Sequence, residues 1–211
     1  MKPRTAILIS GRGSNMAALI AAARDPAFPA RIDLVLSNRP DAAGLRAARL
    51  AGIRAEAVDH RDFGPDRAAH EAAIDTMLQT ANIEIVCLAG YMRLLTPLLV
   101  QAWQGRMLNI HPSLLPSFPG LHTHARALQA GVKLHGCTVH LVTQETDAGP
   151  ILAQAAVPVL PADTEDDLAQ RVLRQEHAIY PAALAAFATG KPVGSPDPEA
   201  CLTNPPAWGT A

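Results

Sequence analysis

Short apolar runs alternate with helix-length stretches through the first half of the chain, and this alternation limits the possible folds more than any other feature. The runs are residues 5–10 (TAILIS), 33–38 (DLVLSN), the weaker 53–58, 84–89 (EIVCLA) and 106–110. Apolar runs of this length, with little polar alternation, suit parallel strands buried on both faces. Between them, residues 16–23, 41–51, 67–81 and about 96–103 have helical spacing, with Gly52 placed to end the second of these helices. Residues 59–66, which contain Gly64 and Pro65, read as a loop. Strand and helix in strict alternation predict a doubly wound α/β sheet.

From His135 the period changes to two: Cys137, Val139, Leu141 and Thr143 alternate with Thr138, His140, Val142 and Gln144. Gly149 and Pro150 turn the chain, and 151–159 is extended again. This predicts an antiparallel hairpin added to the parallel sheet. A short helix over 123–130 is closed by Gly131, and a long amphipathic helix over 164–188 starts with capping residues at Thr164 to Asp167. The expected architecture is a Rossmann-like, mostly parallel α/β sheet with an antiparallel C-terminal hairpin and a long C-terminal helix. Residues 1–190 form one domain in this reading, and 191–211 a Pro-rich irregular tail.

At 211 residues and 49% apolar composition, the chain can bury one full-sized α/β core. A net charge of −1 and 4% aromatic residues give no basis for nucleic-acid or membrane-surface binding. Cys87, Cys137 and Cys201 are far apart and lack CxxC spacing, which points to a reducing compartment with no disulfide and no zinc site. The apolar stretch before Gly11 is too short for a signal peptide, and no run reaches the length of a membrane span. The expectation is a cytoplasmic protein acting on small molecules.

In a doubly wound sheet, ligands bind beyond the carboxyl ends of the strands. Those ends are 11–15, 90–95 and 109–120. Gly11-Arg-Gly-Ser-Asn15 lies between strand and helix, where free backbone N–H groups and the helix dipole favour a phosphate. Ser14 and Asn15 suit N-capping. The loop is neither GxGxxG nor a Walker A sequence, so an ordinary tight turn is the alternative. Asn109 and His111 are two apart on a strand and therefore share a face. They read either as a hydrogen-bonded core pair or as donors aimed at a reacting oxygen. Asp147, before Ala148-Gly-Pro150, reads either as a turn-forming residue or as a carboxylate that orients a histidine and raises its pKa. No Ser or Cys occupies a nucleophile elbow, so these residues suit acid and oxyanion assistance to a substrate's own nucleophile. His122 and His124 lack a third ligand of metal-site spacing and read as loop and cap residues, so no metal is expected. Glu176-His177 reads either as solvated or as facing inward.

Seven segments carry a family resemblance: Ile9–Asn15 (ISGRGSN), 88–95 (LAGYMRLL), 108–116 (LNIHPSLLP), 119–124 (PGLHTH), 135–140 (HGCTVH), 147–151 (DAGPI) and 175–181 (QEHAIYP). Over residues 5–190 the chain resembles the formyltetrahydrofolate-dependent formyltransferases, and among them the phosphoribosylglycinamide formyltransferases. The resemblance implies attack by the amine of 5′-phosphoribosylglycinamide on the formyl carbon of 10-formyltetrahydrofolate, through a tetrahedral intermediate. It implies that Asn109 and His111 stabilise the oxyanion, with His111 as proton donor and Asp147 orienting it and shuttling the proton. It assigns Gly13, Ser14 and Asn15 to the ribonucleotide phosphate, and Leu173, Arg174, Gln175 and Glu176 to the rest of that substrate. It assigns Arg67, Met92, Arg93, Leu94, Leu95, Asn109, Thr143, Gln144, Glu145, Thr146 and Asp147 to the folate. The formyl donor is a co-substrate, no cofactor is tightly bound, and the chain is a monomer or homodimer.

The chain departs from the family pattern at Ser117, where a lysine is common, and at loop 63–66, which is one residue longer. Leu115–Pro116 is a candidate cis bond. A formyltetrahydrofolate hydrolase, another folate-dependent formyltransferase and a non-catalytic nucleotide-binding module are the alternatives. The first two would be expected to carry a regulatory domain or a C-terminal barrel, for which this chain leaves no room.

Overall fold

The computed structural model describes residues 1–190, so the expectation of a Pro-rich tail over 191–211 falls outside the described residues. The elements are β1 (Arg4–Ile9), α1 (Ser14–Ala23), β2 (Arg31–Ser37), α2 (Ala43–Leu50), β3 (Arg54–Ala57), α3 (Arg67–Thr80) and β4 (Ile85–Leu88). They continue as α4 (Pro97–Ala102), β5 (Met107–His111), α5 (Thr123–Gln129), β6 (Leu134–Leu141), β7 (Ile151–Pro158) and α6 (Glu165–Thr189). The strands form one sheet in the order β3-β2-β1-β4-β5-β6-β7. Pairing is parallel from β3 to β5 and antiparallel between β5 and β6 and between β6 and β7. The doubly wound sheet with an added hairpin is therefore present as expected.

Two-residue alternation divides each central strand between two cores. Ile7 and Ile9 of β1 face one side, with Met16, Leu19, Leu45, Leu168, Val172, Tyr180 and Leu184 of the helices. Ala6 and Leu8 face the other side, with Ile74, Leu78, Leu99 and Trp103 of α3 and α4. A parallel strand covered on both faces must be apolar at every position, which is why TAILIS shows no polar alternation. The Tyr180 hydroxyl lies 3.0 Å from the Leu88 carbonyl and 3.1 Å from the Leu108 carbonyl, which pins α6 across β4 and β5. The α6 start carries the reciprocal capping box predicted at Thr164 and Asp167.

Two local expectations are corrected. The 59–66 loop contains a 3₁₀ turn, His60–Phe63, because the Asp59 side chain accepts from the Arg61 N–H and satisfies the turn's first free donor. At α1 the N-cap is Gly13 with φ of 75°, and neither Ser14 nor Asn15 caps the helix. Both belong to its first turn, which frees the Asn15 amide for a distant partner. The Leu115–Pro116 bond is cis.

β1 pairs β2 on one side and β4 on the other, so successive crossovers leave in opposite directions there. This is the switch point at which an open α/β sheet leaves a crevice beyond its carboxyl ends.

Candidate active site

The first part of the site is the turn between β1 and α1. Gly13 adopts a left-handed backbone that costs a residue with a Cβ free energy. Beneath it, Gly44 of α2 donates its N–H to the Gly11 carbonyl at 3.0 Å. A Cβ at Gly44 would run into the Ile9 side chain and the Gly11 carbonyl. The Ser10 hydroxyl donates to Asn38 Oδ1 at 2.6 Å and accepts the Met92 N–H at 2.8 Å, joining the ends of β1, β2 and β4. The resulting cleft has a volume of about 440 Å³ and is lined by residues 10–15, Asn38, Arg39, His60, 89–90, Met92 and Arg93. Arg12, Arg39 and Arg93 line it and no Asp or Glu does, so its polarity suits an anion.

Asn15 lines this cleft and is hydrogen-bonded to Glu176, which does not line it. They are 8% and 7% exposed, and the Asn15 amide donates to Glu176 Oε2 at 2.5 Å. Asn15 Oδ1 is buried without a partner. Burial pushes the Glu176 carboxyl above its ordinary range, and the Asn15 hydrogen bond offsets part of the rise. Glu176 therefore faces inward and His177 is half-buried, which decides a question periodicity left open. Leu173 and Gln175 are half-buried and Arg174 is exposed in the preceding turn of α6, and none of the three lines the cleft.

The second part is a polar cluster across β5, β6 and the turn after β6. Met107, Asn109 and His111 share the strand face that Met107 turns toward the α3–α4 core. Antiparallel register sets Asn109 directly opposite His140. His140 Nδ1 is 2.9 Å from the Leu141 carbonyl, which can only accept, so Nδ1 carries the proton. His140 Nε2 then accepts from the Asn109 amide at 3.1 Å. This fixes the amide orientation and leaves Asn109 a second N–H. Burial depresses the His140 pKa, against the pull of the Leu141 carbonyl and Asp147, and so favours the neutral ring. His111 Nε2 donates to the Phe118 carbonyl at 3.1 Å. Its Nδ1 is 3.5 Å from Asp147 Oδ2, while Asp147 Oδ1 is 3.8 Å from His140 Nε2. Asp147 has a left-handed backbone with φ of 55° and accepts the Gly120 N–H at 2.8 Å. Asp147, distant in sequence, is thus brought to Asn109 and His111.

His140 is the member that sequence reasoning missed, where it stands in an alternating strand and in the 135–140 segment without a role of its own. The available signal was a second polar residue on the strand face that would pair with Asn109, but pairing register cannot be read before the hairpin position is known.

Only some of the remaining residues line a cleft. Met92 and Arg93 line the first cleft. Thr143 and Gln144 line a second cleft, of about 280 Å³, between the end of α4 and the turn after β6. Met92 and Leu94 are 65% and 63% exposed, a large apolar surface beside the site. Leu95 packs partly against the α3–α4 core. Glu145 and Thr146 are exposed in the turn that carries Asp147. Arg67 is exposed at the start of α3 and lines neither cleft.

The two loop histidines lie apart from this cluster. His122 is the left-handed cap of α5, and His124 Nδ1 lies 3.2 Å from His135 Nε2. Burial lowers the His124 pKa and brings that of His135 down to about 4. Among the described residues no group of three or more His, Cys, Asp or Glu is arranged to hold a metal. No described helix is long and apolar enough to cross a membrane.

Known proteins resemble this chain in sequence and fold. The formyl transferase family matches residues 3–184. The phosphoribosylglycinamide formyltransferase of Escherichia coli (strain K12) is 46% identical over 185 residues, which is 88% of this chain and 87% of that protein. The human trifunctional purine biosynthetic protein adenosine-3 is 50% identical over 189 residues, 90% of this chain, but the chain spans only 19% of that longer protein. The crystal structure of a phosphoribosylglycinamide formyltransferase from Brucella melitensis superimposes with a TM-score of 0.86 at 57% identity, covering 90% of this chain and 97% of that one. A family match across nearly all the described residues, with the same fold at high identity, leads to one conclusion: the chain belongs to the formyl transferase family.

Proposed function

We propose that this protein transfers the formyl group of 10-formyltetrahydrofolate to the amine of 5′-phosphoribosylglycinamide, a step of purine biosynthesis. The observation that carries this reading is that the Asn109–His140 and His111–Asp147 pairs lie on and around β5, the strand beside β4 in the sheet, while the ends of β1 and β4 line an anion-suited cleft. Full-length relatives with this name support it.

The phosphate of the ribonucleotide binds the free N–H groups around Gly13, Ser14 and Asn15. Glu176, held by Asn15, takes the amine side of the same substrate. Folate lies along 92–95 and 143–147, with its formyl group at Asn109. The amine lone pair attacks the formyl carbon, a C–N bond forms, and the carbonyl electrons move to oxygen. The second Asn109 N–H donates to that oxyanion. Such donors are strong in catalysis because they are already oriented when the charge develops. His111, facing Asp147, is the proton donor to the leaving folate nitrogen. The oxyanion electrons then re-form the carbonyl as the C–N bond to folate breaks, the folate nitrogen takes the proton from His111, and the proton lost by the former amine passes through Asp147 back to His111. The active protein is a cytoplasmic monomer or homodimer with no resident cofactor.

The test follows folate absorbance with 10-formyltetrahydrofolate, with and without the ribonucleotide. Formyl loss is expected only when both are present. Loss without the amine substrate would identify a hydrolase, and no reaction in either case a binding module. His111→Ala and Asp147→Asn are each expected to lower kcat at least about a hundredfold while ribonucleotide binding persists.

A further inference from the structure

We infer that Arg126 is a positioning residue for formyl transfer, acting through the loop segment that holds both His111 and Asp147. The inference rests on the catalytic reading above.

Residues 112–122 run from the end of β5 to the cap of α5, and the two halves of this loop are fastened differently. The first half is tied to the antiparallel hairpin. The Leu115 N–H donates to Thr138 Oγ1 at 3.0 Å, and Gln154 Nε2 donates to the Leu115 carbonyl at 2.9 Å. The second half touches the catalytic groups. The Phe118 carbonyl accepts from His111 Nε2 at 3.1 Å, and the Gly120 N–H donates to Asp147 Oδ2 at 2.8 Å. Three consecutive residues therefore set the orientation of both partners of the His111–Asp147 pair. A displacement of this segment moves both together.

This second half is costly to hold. Phe118, Gly120 and His122 have φ of 55°, 77° and 56°. A side-chain-bearing residue in that region costs on the order of 1 kcal/mol or more, and persists only where surrounding contacts enforce it. Arg126 provides such contacts from the last turn of the short helix α5. Its Nη1 donates to the Pro119 carbonyl at 2.5 Å and reaches the Leu121 carbonyl at 3.4 Å. Its guanidinium carbon lies 5.7 Å from the centre of the Phe118 ring. The Phe118 ring also meets His135 edge-on at 5.8 Å. The guanidinium thus grips the backbone on both sides of Gly120 and the side chain of Phe118, the residues whose main-chain groups orient Asp147 and His111. A fork of fixed donors that also packs on an aromatic ring is a function arginine performs and lysine only partly reproduces.

The experiment compares steady-state formyl transfer by wild type, Arg126→Ala, Arg126→Lys, His111→Ala and the double variant His111→Ala/Arg126→Ala, with a thermal melt of each. Arg126→Ala is expected to lower kcat about tenfold or more and to leave both KM values within about threefold, since only transition-state alignment is lost. Arg126→Lys is expected to recover part of kcat. In the double variant, removing Arg126 is expected to change the residual rate of His111→Ala by less than about twofold, because without the imidazole the His111–Asp147 pair whose alignment Arg126 sets no longer exists. Should Arg126→Ala not fold, Arg126→Gln, which keeps an amide donor and helix propensity, takes its place in every arm. The inference is overturned if Arg126→Ala keeps kcat within about twofold of wild type. It is equally overturned if the loss is the same with and without the His111 imidazole, which would mark a general structural role. A wild-type rate in His111→Ala would instead remove the catalytic reading itself.

Discussion

Replacing Asn109 by Ala separates catalysis from stability more cleanly than any other change at this site. In the folded protein one amide N–H is used by His140 Nε2 at 3.1 Å, and the other is free for the oxyanion. Removing a single oxyanion donor costs about 3 kcal/mol in transition-state stabilisation, or about 10² to 10³ in kcat. The ground-state loss is smaller. His140 Nε2 loses its donor, and a buried acceptor left unpaired costs about 1–3 kcal/mol. For a chain of this size that lowers the melting temperature by roughly 2–4 °C per kcal/mol. The His140 ring itself should stay neutral and in place, because its Nδ1–H bond to the Leu141 carbonyl does not depend on Asn109. Initial rates with both substrates at saturation, together with KM for each, give the answer. The expected result is a fall of at least about a hundredfold in kcat, with both KM values within about threefold. A kcat within about threefold of wild type in a folded variant would falsify the oxyanion role. A rise in folate KM without a fall in kcat would show that Asn109 only binds.

Two further changes probe the ribonucleotide side. Glu176→Gln should raise ribonucleotide KM about tenfold or more, because a hydrogen bond to a charged group is lost. It should also change the pH dependence of stability. The Glu176 carboxyl is raised in the folded state by burial, so its favourable contribution is complete below the unfolded carboxyl pKa and is lost as pH rises through the folded value. The Gln variant should therefore melt higher than wild type near pH 8, and this advantage should shrink as pH falls toward 4. Equal differences at both pH values would show that Glu176 does not titrate as described. Gly44→Ala offers a test of opposite sign to helix propensity. An exposed helical Gly→Ala would stabilise by about 1 kcal/mol. Here the new methyl meets Ile9 and the Gly11 carbonyl, so a net loss of about 1–2 kcal/mol and a higher ribonucleotide KM are expected from melts and kinetics. Stabilisation with unchanged KM would refute the close fit beneath the loop.

The fold was legible because its signal is local. Each central strand is buried on both faces, so its run of apolar residues can be read without knowing its neighbours. The hairpin was legible because its period is two, and the capping box at Thr164 because it spans only three residues. Local signals also misled. Ser14 and Asn15 are good cap residues by type, yet Gly13 caps α1 because its backbone can turn left-handed, and Asn15 is engaged by Glu176 on a helix far along the chain. The turn at His60–Phe63 was hidden among polar residues with no apolar period.

The amino-acid order by itself determined the sheet, its hairpin and the three strand ends from which a site would be built. It also held the motifs that resemble the formyltransferases. It could not choose between filler and function for Asn109, His111 and Asp147, since each residue type has an ordinary structural use. That choice depends on distances between groups from different elements, and these exist only once the sheet closes. Tertiary structure set His140 opposite Asn109, brought Asp147 to 3.5 Å from His111, and turned Glu176 inward to Asn15. The physical reason is range. Backbone preference and apolar period act over a few residues, whereas hydrogen bonds between side chains act over about 3 Å of space regardless of separation along the chain.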